Sequence, residues 1–317
     1  MRKRSASTRT PVHGVNPRQP CPCGSGKRYK ACHGAAGGAE DIVLRPFHGL
    51  AAECDLVALR EFVPSATAPL PLASSSLRSN GRDITLATVL PMGAAGMVRA
   101  DGSIFVGLQT QTRSGDLSRD LGRAVRWAQQ ASPGDVLPVV DAASDEEVRL
   151  QDLMPADAAL EVTLHRDFAW WIPDGESPAE DVAQSQQRAT ALIRPTEPVT
   201  GDGVHAAYWM EAGDKAHLRW VRPEPEEQLL AALARLSARD ELSLGESSRY
   251  AGSFRAHGML VPVWDLDKER HAREWVPGAQ AFAQRLTDAL ASLDSSPLTS
   301  TERRALDSLR GRQVTLR

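Results

Sequence analysis

Three of the four cysteines in this 317-residue chain fall inside one short stretch, which ends in a histidine and a glycine. It reads Cys21-Pro22-Cys23-Gly24-Ser25-Gly26-Lys27-Arg28-Tyr29-Lys30-Ala31-Cys32-His33-Gly34. Thiolates and imidazoles are the ligands of structural zinc, which takes four of them at tetrahedral corners. A Cys-x-Cys pair supplies two thiolates from a single sharp turn. Pro22 fixes one backbone angle of that turn, and Gly24 and Gly26 permit the positive φ that brings amide N–H groups toward the sulfurs. The spacing predicts one helical turn over 27–31 that returns Cys32 and His33 to the ion. Adjacent helical ligands diverge by about 100°, so the turn must end there, and Gly34 suits a helix end. Lys27, Arg28 and Lys30 supply the positive field that favours thiolates. Two readings compete with zinc. A redox dithiol requires Cys-x-x-Cys, and this pair has one intervening residue; a disordered basic tail with incidental cysteines leaves the spacing unexplained.

The stretch resembles the SEC-C motif, the zinc knuckle found at the C-terminus of the SecA translocation ATPase and on many unrelated bacterial proteins. By that resemblance Cys21, Cys23, Cys32 and His33 are the zinc ligands. The resemblance also implies a docking element, because the knuckle of SecA docks a chaperone and its region is linked to ribosome contact. It covers only the knuckle. The rest of the chain has no GxxxxGK[ST] loop and no helicase-like pattern. Its Ala- and Arg-rich composition, with Glu53-Cys54-Asp55 and the run Gly258-Met259-Leu260-Val261-Pro262-Val263-Trp264-Asp265, is similar to an uncharacterised actinobacterial family bearing this knuckle.

Charge is distributed unevenly. Residues 1–33 hold eight basic residues and no acid, leaving 29 basic and 40 acidic residues beyond them. A basic arm on an acidic body reads either as a face for a polyanion or acidic protein, with Lys27, Arg28 and Lys30 as partner-binding residues, or as a solubilising tail. Concentration of the cysteines in one knuckle implies a reducing, cytoplasmic compartment. No run approaches the ~18 apolar residues of a membrane span, and no apolar segment follows the basic N-terminus to make a secretory signal.

These residues need a scaffold, and the pattern predicts an α+β one. The expected organisation is a disordered arm over 1–19, the knuckle over 20–34, a Gly/Ala linker over 35–41 and an α+β body over 42–317. Apolar spacing predicts helices over 51–63, 117–128, 178–193 and 279–293. Pro223-Glu224-Pro225-Glu226-Glu227 starts another, with acids at the positive end of its dipole, and Thr299 to Glu302 forms a capping box for the last. Strands are expected over 84–90, 136–140, 249–257 and 259–265, hairpins over 97–111 and 205–221, and a strand pair carrying Trp170 and Trp171 over 160–172. Hairpin then helix occurs twice, which suggests diverged halves (42–175 and 176–317) sharing one layer of sheet.

Catalytic constellations in the body are thin. No histidine stands in HExxH or beside a Gly-x-Ser-x-Gly elbow. His165 with Asp167 is a candidate orienting pair on one strand face, His205 with His217 a candidate second metal pair across a hairpin, and Asp265 with Asp267 a candidate Mg²⁺ site. Each has a blander reading as an incidental neighbour or turn former. The tryptophans read as core or as an exposed stacking platform. Cys54, between two carboxylates that raise a thiol's pKa, reads as a packed residue. The leading reading is therefore a zinc-binding adaptor for a cytoplasmic protein partner, ribosome- or secretion-associated. The alternatives are an enzyme localised by the knuckle, with its site in the body, and nucleic-acid binding through arm and knuckle.

Overall fold

A computed structural model describes residues 42–74, 82–111, 114–141 and 147–311, together with Gln19, Arg28 and Tyr29. Among them are six α-helices and eleven strands in two sheets, the α+β class that the pattern predicts.

The first sheet uses strands β1 (Ala66–Pro69), β2 (Ile84–Ala87), β3 (Gly96–Val98), β4 (Ile104–Gly107), β5 (Val136–Leu137) and β6 (Thr163–Leu164). Their order is β5-β3-β4-β2-β1-β6, with β2 parallel to β4 and every other pair antiparallel. The hairpin expected over 97–111 forms as β3–β4, joined by residues 99–103. Arg99 N–H donates to the Ser103 carbonyl at 2.9 Å, and Gly102 takes φ +84° inside the loop. Helices α1 (Glu53–Glu61) and α2 (Leu117–Gln130) contribute Leu56, Leu59, Leu121 and Val125 to the core beside this sheet. Asp116 caps α2, accepting from the N–H groups of Ser118 and Arg119, and pairs with Arg149 at 2.8 Å.

The second sheet uses β7 (Thr196–Pro198), β8 (Ala207–Ala212), β9 (Lys215–Trp220), β10 (Ser248–Ala256) and β11 (Met259–Leu266). It is antiparallel throughout, in the order β10-β11-β9-β8-β7. The β8–β9 hairpin turns at Gly213 with φ +77°, a conformation that glycine enters without a Cβ penalty. Alternation along these strands divides their side chains between two cores. Trp209, Leu218, Leu260 and Trp264 join helices α4 (Glu226–Ala238), α5 (Val276–Leu293) and α6 (Ser300–Gly311). Tyr208, Met210, Val261 and Val263 join α1, α2 and the first sheet. Further ties cross between the halves: Arg45 forks onto Glu53 and also donates to the Pro223 carbonyl, and His257 meets Glu61 at 2.8 Å.

Two expectations change. The halves do not share one layer of sheet: the hairpin–helix order recurs, but inside a mixed sheet in one case and an antiparallel sheet in the other. The strand pair expected over 160–172 is also replaced. Only Thr163–Leu164 is extended there, and Ala169–Trp171 is a 3₁₀ turn. Asp167 accepts from the Ala169 N–H at 2.8 Å, which turns the chain. Phe168 stacks on Trp171 at 4.4 Å between ring centres. The Trp170 indole donates to the Ser65 hydroxyl and the Trp171 indole to the Val89 carbonyl. Their polar tips are thus bound inward, and no tryptophan of the body is exposed; the core reading holds and the platform reading fails. The remaining helix, α3 (Glu180–Thr190), buries none of its residues. It is held from one end, where Gln186 donates to the Phe168 carbonyl and Thr190 accepts from the Phe168 N–H.

Candidate functional site

The knuckle ligands Cys21, Cys23, Cys32 and His33, with Lys27 and Lys30, lie outside the described residues. Arg28 is exposed, and Tyr29 is half-buried with its N–H donating to the Gln19 carbonyl at 2.8 Å. By type, three thiolates and one imidazole are a soft, four-member donor set that matches tetrahedral zinc and suits neither magnesium nor calcium. Among the described residues no group of three or more His, Cys, Asp or Glu is placed to hold a metal ion.

In the body, no candidate pair assembles in the form that the sequence suggests. His165 Nε2 lies 2.8 Å from the Thr67 hydroxyl, while Asp167 caps the turn at Ala169, so the two do not form a catalytic pair. Burial holds the His165 pKa below the usual histidine value, against the pull of Asp167. His217 stands opposite Met210 in the β8–β9 ladder, and His205 precedes β8, so the hairpin does not bring the two into register. Asp265 is already engaged by its own chain: Lys215 at 2.9 Å, Arg249 at 2.7 Å and the imidazole of His217 at 3.3 Å. Burial would raise its carboxyl, but the hydrogen bonds from Lys215 and Arg249 hold it low. Asp267 accepts from the Glu269 N–H as a turn former. The Mg²⁺ reading is corrected on both residues. Cys54 behaves as a packed thiol, pushed up to about 12 by burial and then by Asp55 and Glu53.

What the structure does assemble lies at the edge where β6 and β7 approach one another. A cavity of about 370 Å³ opens there, lined among others by Ser65, His165, Arg194, Thr196, Trp209 and His271. That volume is within the range of small-molecule sites. Two strands in from β7, β9 presents Lys215, His217 and Arg219 at alternate positions on the face turned toward the first half, opposite the face of Trp209. Arg219 is 9% exposed, and its guanidinium lies 5.7 Å from the centre of the Phe62 ring. Burial, then Arg194, pushes its pKa down to about 10. His217 is lowered by burial and by Arg219, Lys215 and Arg194, with Asp265 opposing. Sequence reading missed Arg194 and Arg219. The period-two order Lys215-Ala-His217-Leu-Arg219-Trp was visible, yet a polar strand face ordinarily meets water.

A second unexpected group is Asp55 on α1, half-buried and raised to about 6 by burial against the opposing charge of His205. It in turn adds to the burial that raises the Tyr208 phenol.

Comparison with known families finds two matches. The model of a family of unknown function, DUF5926, matches residues 46–317, and that of the SEC-C motif matches residues 18–35. The expected pairing of a SEC-C knuckle with an uncharacterised family is what these matches show. No curated protein and no solved structure matches the chain.

Proposed function

We propose that this chain, which belongs to the DUF5926 family, is a recognition protein whose zinc-organised SEC-C knuckle captures a protein partner for the α+β body that follows. The observation that carries this reading is the SEC-C match at 18–35, with all four ligand-type residues inside it and a body of a separate family beginning at 46. Zinc would be held by Cys21, Cys23, Cys32 and His33. Bound there, it supplies the order that a segment too short for its own core lacks, since metal binding and folding are coupled in such sites. The ion has no reaction to perform in this reading. Lys27, Arg28 and Lys30 then form a basic face beside an arm with five more positive charges, suited to an acidic partner. The concentration of thiols in the knuckle suits the reducing cytoplasm, and among the described residues no helix is long and apolar enough to cross a membrane. A ribosome- or secretion-associated protein is the class of partner that the motif suggests.

The test is affinity purification of the full-length protein and of its Cys21→Ser, Cys23→Ser form from the same cells. Partners present with the native protein should be missing from the variant, while the body of the variant unfolds at the native temperature. Retention of every partner by the variant would refute the recognition role.

A further inference from the structure

The cavity between β6 and β7 runs along two strand edges. Side chains alternate between the faces of a strand, yet residues 164–166 and 193–197 line it without a break. A cavity that touches consecutive residues follows a strand's edge and not one of its faces. β6 and β7 are the last strands of their sheets: β6 pairs only with β1, and β7 only with β8. Arg166 reaches from the end of β6 to Glu197 on β7 at 3.4 Å.

Both edges carry unpaired backbone. In an antiparallel ladder, residues alternate between those that exchange hydrogen bonds with the partner strand and those whose N–H and C=O point away from it. On β6 the His165 N–H donates to the Ser65 carbonyl at 2.9 Å, so Leu164, opposite Ala66, turns its amide groups outward. Ala66 agrees, since it spends its own N–H and carbonyl on Thr88, on the other side of β1. On β7 the Val199 N–H donates to the Ala207 carbonyl at 2.8 Å, and the Glu211 N–H to the Pro195 carbonyl at 3.0 Å. Thr196, opposite Met210, therefore also faces outward. Among the described residues the backbone groups of Leu164 and Thr196 have no hydrogen-bond partner, and both residues line the cavity. Its other walls are apolar, from Pro64, Ile193, Pro195 and Trp209. Glu197 is the one carboxylate among the lining residues, and it is committed to Arg166; Arg194 has no ion pair among the described residues.

We infer that this slot binds the C-terminal end of an extended peptide, whose backbone pairs with Leu164 and Thr196, whose carboxylate meets Arg194 and whose last side chain is apolar. Adding a strand to an open sheet edge supplies main-chain hydrogen bonds, and an adjoining pocket selects the side chain. A guanidinium forks onto a carboxylate by two parallel hydrogen bonds. A cavity of about 370 Å³ holds a few residues, which suits a chain end and not a strand running through. The site belongs to the body and stands independently of the knuckle.

The test is calorimetric titration of the full-length protein with acetyl-Ala-Leu, its C-terminal amide, and its analogue methylated on both amide nitrogens. The free acid is expected to bind at millimolar concentration or below, and the amide and the methylated analogue each about tenfold or more weaker. Arg194→Ala, at an exposed position, should bind acid and amide alike. Thr196→Pro deletes an edge N–H that no ladder bond uses, and should weaken the acid about tenfold; if it does not fold, the methylated analogue decides. Cys21→Ser should leave binding unchanged, which separates this site from the knuckle's role. No heat from the acid at about 10 mM, equal binding of the methylated analogue, or equal binding of acid and amide by the native protein would each overturn the assignment. So would an Arg194→Ala variant that keeps the native preference for the acid.

Discussion

Replacing Asp55 by asparagine should stabilise this protein, and only above the pH at which the carboxyl ionises. The folded state holds Asp55 at about 6 against an ordinary value of 3.8, because burial on α1 beside Tyr208 outweighs the attraction of His205. A difference of that size sets about 3 kcal/mol against the ionised folded state. The sign follows from proton counting. Between 3.8 and about 6 the folded chain holds a proton that the unfolded chain has released, so this group's contribution falls as pH rises through that window and stays unfavourable above it. Asparagine keeps the shape and removes the charge. Guanidinium unfolding at a series of pH values should show Asp55→Asn more stable than the native protein by about 2–3 kcal/mol at neutral pH and above. The difference should shrink through the window and vanish in mild acid. A variant equal to or weaker than the native protein at neutral pH would refute the reasoning, as would a difference that does not change with pH.

Two further substitutions test packing on the helical side of the second sheet. A Cβ on Gly278, at the start of α5, would stand 1.8 Å from the Leu244 carbonyl oxygen, a backbone atom that cannot rotate away. Gly278→Ala should therefore cost about 1–3 kcal/mol, read as a lowered urea midpoint at unchanged slope. Arg235 on α4 reaches Glu302 at 3.1 Å and the Ser296 carbonyl at 2.7 Å, tying α4 to the segment leading into α6; both ends of the ion pair are buried. Glu302→Ala strands that guanidinium and should cost about 3–5 kcal/mol in the same assay. Arg235→Met with Glu302→Leu should recover most of this, less about 1 kcal/mol for the lost cap at Thr299.

Local signals carried much of this fold. The capping box at Thr299 and Glu302 forms as read, with the Thr299 N–H donating to Glu302 at 2.7 Å and the Glu302 N–H to the Thr299 hydroxyl at 3.2 Å. The hairpin expected over 205–221 forms as β8–β9, turning at Gly213 and Asp214. Such features are legible because a few adjacent residues decide them. The region around Trp170 was not, because its apolar run suits a strand equally well, and the choice was made by distant partners such as Ser65 and Val89. The same limit hid the cationic strand face. Lys215, His217 and Arg219 announce a polar strand face, but only tertiary packing turns it inward against Phe62 and brings Arg194 beside it. Asp265 and Asp267 looked available for a metal, since sequence order does not show Lys215 and Arg249 arriving from neighbouring strands. Cys54 went the other way: its flanking acids predicted an inert thiol, and burial adds the larger share.

The account rests most heavily on an N-terminal element organised by zinc and separate from the body's core. Elemental analysis of the purified full-length protein, beside a Cys32→Ser variant, tests this directly. About one zinc per chain is expected in the native protein and none in the variant, with the body's unfolding transition the same in both. A native protein that contains no zinc, with all of its knuckle thiols freely titratable, would contradict it.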